Sequence, residues 1–265
     1  MDAMDDRDVR GYWNGNAETW TRLARAGYDV YRDGFNTPAF LAMLPDVAGA
    51  RGLDLGCGEG HNTRLLAARG AVMTAVDLSE AFLRDARVAN AGIPAPIAYV
   101  HASAASLPFR DASFDFATAF MSLMDMPDVE RVIAETARVL RPGGFLQASI
   151  EHPCFLTPHR RKVKDAEGRT VAIEVAGYFQ RRDGEVSEWT FGQAPPEIRA
   201  AVRPFRIPQF TRTLSEWLML FLGAGWRLEQ VQEPRPDADT VRRIPRLHDA
   251  TLVATFLHLR LRRPA

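Results

Sequence analysis

The chain has almost no cysteine: Cys57 and Cys154 are the only two in 265 residues. Two thiols build no disulfide framework, and a reducing, cytoplasmic setting is the expectation. There is no surplus charge either. Lysine and arginine number 33, aspartate and glutamate also 33, so no global field draws in a polyanion. No run approaches the ~20 apolar residues of a membrane span. The first residues are acidic and lead into no apolar signal stretch. Internal repeats and low-complexity tracts are absent. What is left is an ordinary globular composition, and at 46% hydrophobic it supports one large α/β domain or a core with an elaborated cap.

Residues 1–8 read as a frayed acidic tail, and 9–45 as helical and aromatic, with Asn36-Thr37-Pro38 opening a helix. From residue 51 short apolar runs alternate with helical periods. Strands are expected at 52–55, 71–76, 94–100, 114–120 and 145–150, with helices between them. Such alternation predicts a parallel, doubly wound sheet with every strand-to-helix turn on one edge. Residues 152–212 break the pattern, and a hairpin is expected around Asp183-Gly184. Thr213-Leu214-Ser215-Glu216 is a capping box, and strands at 226–231 and 251–261 follow. In the last, Leu257, Leu259 and Leu261 alternate with His258, Arg260 and Arg262, which predicts one wet face. The expected architecture is therefore a Rossmann-like doubly wound α/β sheet, mostly parallel with an antiparallel last strand. Aromatic N-terminal helices (1–45) cap a core (46–151 and 213–265), with a lid inserted after strand five (152–212).

The chemistry concentrates in Leu53-Asp54-Leu55-Gly56-Cys57-Gly58-Glu59-Gly60. A strand ends here in a turn whose glycines let a ligand approach the backbone. A diphosphate cradle wants a third glycine where His61 stands. Asp54 before the turn suits a ligand bearing an ammonium group. Asp77 ends the second strand, where a carboxylate accepts hydrogen bonds from both ribose hydroxyls.

At LDLGCGEG, AVDLS, SLPFRDASFDFATA and RVLRPGGFL, over roughly residues 50–150, the chain resembles the class I S-adenosylmethionine-dependent methyltransferases, in their small-molecule, type 11 branch. The resemblance implies S-adenosylmethionine as cofactor and S-adenosylhomocysteine as product. It implies that Gly56, Cys57 and Gly58 face the cofactor's methionine and ribose, that Asp77 holds the ribose and that Leu78 packs on adenine. Ser103 and Ala104 would meet the adenine edge, and Phe120, Met121 and Ser122 the methionine side. Ser103 is a departure, since the family often carries an acid there, and a serine accepts without charge assistance.

For the methyl acceptor, His152 past strand five is the candidate base, because imidazole titrates near neutrality, and oxygen is then the preferred target. Cys154 reads as a packed loop thiol, since the flanking motifs of cysteine-dependent cytosine methylation are missing. Tyr12, Trp13, Trp20, Tyr28 and Tyr31 are expected over the cofactor edge, where aromatic faces stabilise a cation. Tyr12, Trp20, Tyr28, Tyr178, Trp189 and Arg212 are the expected substrate wall. Arg160-Arg161-Lys162-Val163-Lys164 is a basic run that suits solvent or an acidic substrate. The reading is a small-molecule methyltransferase, monomer or homodimer, without metal, membrane or nucleic-acid partner. The competing readings are an RNA or protein methyltransferase and a non-catalytic binder of the same cofactor.

Overall fold

The computed structural model describes residues 4–92 and 97–264. Strands β1 (Arg51–Leu55), β2 (Val72–Asp77), β3 (Ala98–His101), β4 (Phe114–Phe120), β5 (Leu140–Glu151), β10 (Arg227–Gln232) and β11 (Phe256–Arg262) form one sheet in the order β10-β11-β5-β4-β1-β2-β3. β1 to β5 pair in parallel, and β11 runs antiparallel to both neighbours. The antiparallel last strand is thus as expected. β1 and β4 are buried on both faces, as strands between two helical layers must be. Gly52 in β1 makes room for this packing: a Cβ there would lie 2.4 Å from the Phe116 ring, which stacks on Phe145.

Helices α3 (His61–Ala67), α4 (Glu80–Asn90) and α5 (Val129–Val139) connect these strands. Ser79 caps α4 and Asp128 caps α5, each side chain accepting from a backbone N–H of the first turn. Because β1 and β4 are sheet neighbours but not consecutive, their C-terminal ends form a topological switch point, where open α/β sheets bind ligands.

The N-terminal segment is ordered earlier than expected. Asp5 and Asp8 close a capping box, and α1 spans Asp6–Arg25; residues 1–3 of the expected tail lie outside the described residues. Two asparagines fasten α1. Asn14 Oδ1 accepts from the Ser79 hydroxyl at 2.8 Å, and Asn16 exchanges hydrogen bonds with the Arg206 backbone. A π-helical turn, Arg32–Asn36, runs into α2 (Thr37–Met43).

Three expectations need correction. The hairpin across Asp183-Gly184 does not form. β6 (His159–Lys164) pairs instead with β7 (Thr170–Ala176), and β8 (Asp183–Trp189) with β9 (Phe205–Phe210). The turn sits at Asp165, whose carboxylate accepts from the N–H groups of Glu167 and Arg169, while Gly184 occupies a bulge at φ +91°. The wet face of β11 is not wet at His258. That ring is fully buried under the turn into α2, with Nε2 2.6 Å from Asn36 Oδ1 and its edge on Phe40, and burial pushes its pKa down to about 3. Lastly, Asp249–Leu252 is a helical turn rather than strand, and residues 94–96 of the expected third strand lie outside the described residues.

Segment 152–212 also holds a short helix, α6 (Pro196–Ala200), and ends at α7 (Leu214–Gly223), where Thr213 and Glu216 form the expected capping box. α8 (Ala238–Arg243) and a 3-10 turn, Pro245–His248, precede the Asp249 turn. No helix among the described residues is long and apolar enough to cross a membrane.

Candidate active site

The C-terminal ends of β1, β2, β4 and β5 open into a cavity of about 860 Å³, roofed by α1, the 28–36 turn and the β6–β9 segment. That is near the top of the ~300–1,000 Å³ range of small-molecule pockets. Gly56, Cys57, Gly58, Asp77, Leu78, Ser103, Ala104, Phe120, Met121 and Ser122 all line it.

The glycine turn is built for close approach. Gly56 and Gly58 adopt φ of +68° and +54°, which side-chain-bearing residues avoid. A Cβ on Gly56 would strike the Ser122 Cβ at 2.6 Å, whereas one on Gly58 would meet nothing within 4 Å. Open space therefore lies directly against the Gly58 backbone. Asp77 stands beside it: its Oδ2 accepts from the Gly58 N–H and its Oδ1 from the Ser79 N–H, both at 2.7 Å. Burial lifts this carboxyl to about 6, against the pull of those two hydrogen bonds. Each oxygen keeps lone-pair capacity toward the cavity. An open cradle beside a fixed double acceptor fits the ribose and methionine portions of S-adenosylmethionine.

Asp54 does not line the cavity. It is buried beneath the turn, accepting from the hydroxyls of Thr63 at 2.5 Å and Thr118 at 2.9 Å, so it holds the turn rather than touching a ligand. Glu59 was not singled out in the sequence and turns out to be a second brace. Its buried carboxylate accepts from Arg25 of α1 and Arg64 of α3, which fastens α1 over the glycine turn. Its only signal was a lone acid inside the glycine run.

The charge missing at residue 103 arrives from elsewhere. The Ser103 hydroxyl donates to Asp6 Oδ2 at 2.5 Å, and both residues line the cavity. The cavity wall at Ser103 thus has a carboxylate after all, supplied by α1.

Among the expected acceptor residues, Trp20, Tyr28 and Trp189 line the cavity, together with Trp13, Tyr31 and Phe191. Trp20 packs edge-on to Trp13, Trp189 and Phe191, at centroid distances of 5.0–5.7 Å. Tyr12 does not line the cavity and lies under Arg206. Tyr178 does not either; its hydroxyl accepts from the Leu214 N–H at 2.8 Å. Arg212 is buried against Glu130 and Trp217, again off the wall.

His152 is the main correction. Its side chain is buried outside the cavity lining, and both ring nitrogens are engaged. Nε2 lies 3.0 Å from Glu233 Oε1, and Nδ1 accepts from the Cys154 N–H at 3.2 Å. An acceptor-only Nδ1 leaves Nε2 to donate to Glu233, so no nitrogen is free for a substrate proton. The wall is lined instead by two carboxyl groups at the strand ends, Asp125 after β4 and Glu151 at the end of β5. Glu151 pairs with Arg160 at 3.0 Å. Burial, then the Glu151 charge, pushes the Asp125 carboxyl well above the usual carboxylate range.

Residues 53–148 match a protein family described as "Methyltransferase domain". The chain is 31% identical over 233 residues to 27-O-demethylrifamycin SV methyltransferase of Amycolatopsis mediterranei, an alignment covering 84% of this chain and 79% of that one. It is similar in structure to an S-adenosylmethionine-dependent methyltransferase from Mesorhizobium loti, with a TM-score of 0.69 and 30% identity, over 85% of this chain and 96% of that one. The fold is also that of the Burkholderia thailandensis 1,6-didemethyltoxoflavin-N1-methyltransferase, solved with its substrate and S-adenosylhomocysteine. Here the TM-score is 0.60 and identity 17%, over 100% and 93% of the two chains.

Proposed function

Because the chain belongs to the class I S-adenosylmethionine-dependent methyltransferases, we propose that its acceptor is a ring-bearing small molecule methylated on oxygen. One observation carries this reading: Asp125, a carboxyl group with no side-chain partner among the described residues, lines the same cavity as the glycine turn and the Trp20–Trp189 aromatic wall. S-adenosylmethionine supplies the methyl group on a sulfonium, already a strong electrophile. The protein's own work is alignment, exclusion of water and removal of one proton.

Each part has a residue. The Gly58 backbone and Asp77 hold the ribose and methionine side of the cofactor, and Asp6, positioned by Ser103, accepts from the adenine amine. Ser122, whose hydroxyl donates to the Leu55 carbonyl at 2.7 Å, fixes the β4 turn against β1. Trp20, Tyr28, Trp189 and Phe191 present flat apolar faces to a ring. Asp125 takes the proton of the acceptor hydroxyl, the role first given to His152. The relative named for a 27-O-demethyl substrate supports oxygen as the target.

The test is transfer of tritiated methyl from S-adenosylmethionine into a panel of hydroxylated aromatic and macrocyclic compounds. The position of the methyl group is then read by mass spectrometry. A labelled methyl ether is expected. Label on nitrogen or carbon contradicts the oxygen assignment. S-adenosylhomocysteine that raises the melting temperature, with no label transferred to any acceptor, would favour binding without catalysis.

A further inference from the structure

Four cations line the cavity on the side of the β6–β9 segment and the 245–248 turn. β6 contributes by strand alternation. Arg160 and Lys162 line the cavity, whereas Arg161 between them turns outward to Glu174 at 2.5 Å. Arg182, just before β8, and Arg246, in the 245–248 turn, line the same space. Two of the four cations are matched. Arg160 meets Glu151 at 3.0 Å, and Lys162 meets Asp249 at 2.5 Å. Arg182 and Arg246 have no carboxylate partner among the described residues.

Arg182 is the more telling of the pair. It is partly buried, and its Nε is fully buried with no hydrogen-bond partner. A buried N–H left in that state is costly, and native structures rarely keep one without a reason. Arg246, an exposed side chain, reaches the same space from the 245–248 turn. Its guanidinium lies over Gly192, where any Cβ would come within 2.3 Å of NH2. The 189–193 turn and the 245–248 turn therefore meet across the cavity mouth, with a guanidinium between them.

We infer that the methyl acceptor carries an oxyanion, a carboxylate or a phosphate, received by the unpaired guanidinium groups of Arg182 and Arg246 beside Arg160. Guanidinium forks match either anion in two parallel hydrogen bonds. This inference rests on the methyl-transfer reading above and adds the class of acceptor. The aromatic wall and the arginines lie in one cavity, so the fitting molecule has a ring and an acid group. The basic run by itself suits solvent as well as an acidic substrate, and the neutral net charge favours neither. The choice depends on which alternate residues of β6 face inward.

The experiment uses the full chain saturated with S-adenosylhomocysteine. Matched probes are titrated by calorimetry: hydroxyaryl carboxylates beside their primary amides, and hydroxyaryl phosphates beside the corresponding phenols. At least one acid is expected to bind tenfold or more tightly than its neutral partner, with a preference that weakens as salt rises. The two acid arms tell carboxylate from phosphate. Arg182→Met is expected to remove most of the preference and Arg246→Met, at an exposed side chain, part of it. Arg161→Met, on the outer face, should leave it intact. Equal affinity of acids and neutral partners throughout the panel overturns the inference, as does a preference that survives Arg182→Met with Arg246→Met. S-adenosylhomocysteine binding, measured in the same cell, separates the two levels. If it binds and the acids show no preference, only the acidic acceptor falls; if it does not bind, the methyl-transfer reading falls with it.

Discussion

Replacing Asp77 by alanine is expected to weaken S-adenosylhomocysteine binding by about 100-fold or more, since hydrogen bonds to an ionised acceptor are each worth about 1.5–3 kcal/mol. Both carboxylate oxygens are already fixed by N–H groups, from Gly58 and Ser79, so the acceptor is aimed before the ligand arrives. Alanine loses the ribose contacts and frees the glycine turn at once. Calorimetric titration checks this, and an unchanged Kd contradicts the assignment. The pH dependence follows from the same group. Burial holds the free carboxyl at about 6, and the ribose hydroxyls need the ionised form. Affinity should therefore be flat above pH 6. Below it, the ligand must expel a proton, and binding should weaken up to about tenfold per unit of pH. Asp77→Asn should abolish that dependence.

The second large effect is on rate. Asp125→Asn is expected to slow methyl transfer to a hydroxyl by roughly 10²–10⁴-fold, the usual contribution of a general base. Cofactor affinity should stay the same, because the proposal assigns Asp125 to the acceptor and not to the cofactor. The wild-type pH profile should carry the signature. Burial and the facing Glu151 charge, itself paired with Arg160, hold Asp125 protonated above the normal carboxylate range. The base form gains population as pH rises through that raised pKa, so the rate climbs and then levels. Asp125→Asn should lose the climbing limb. His152→Ala should leave kcat nearly unaltered, since its ring is committed to Glu233 and the Cys154 N–H. The reverse pattern would return the base to His152.

The parts of the fold legible in the sequence were those set by local spacing. The strand, glycine turn and helix at 53–67, and the acid closing β2, need only neighbouring residues to declare themselves. So does the capping box at Thr213. What stayed illegible depends on distant chain. Nothing near Ser103 announces that Asp6 will stand beside it, 97 positions earlier. His152 reads as a free imidazole until Glu233, 81 residues on, occupies it. His258 has the alternation of a wet face, yet the turn into α2 covers it. Asp183-Gly184 has the chemistry of a hairpin turn, but Asp165 offers two backbone N–H groups a better acceptor and takes the turn. Asp54 satisfies the expectation of an acid before the glycines while serving two hydroxyls underneath them. Asp125 was within reach: it stands three residues after Ser122, in the 3-10 turn that follows the residues expected on the methionine side.

The central claim is that the glycine turn after β1, with Asp77 closing β2, grips a sulfonium nucleoside. A crystal structure with S-adenosylhomocysteine tests it most directly. The ribose hydroxyls should lie within hydrogen-bond distance of Asp77, the adenine amine beside Asp6 and the sulfur toward Asp125 and the aromatic wall. A nucleoside bound with its ribose away from Asp77, or a dinucleotide diphosphate lying across Gly56–Gly58 in its place, would contradict the account.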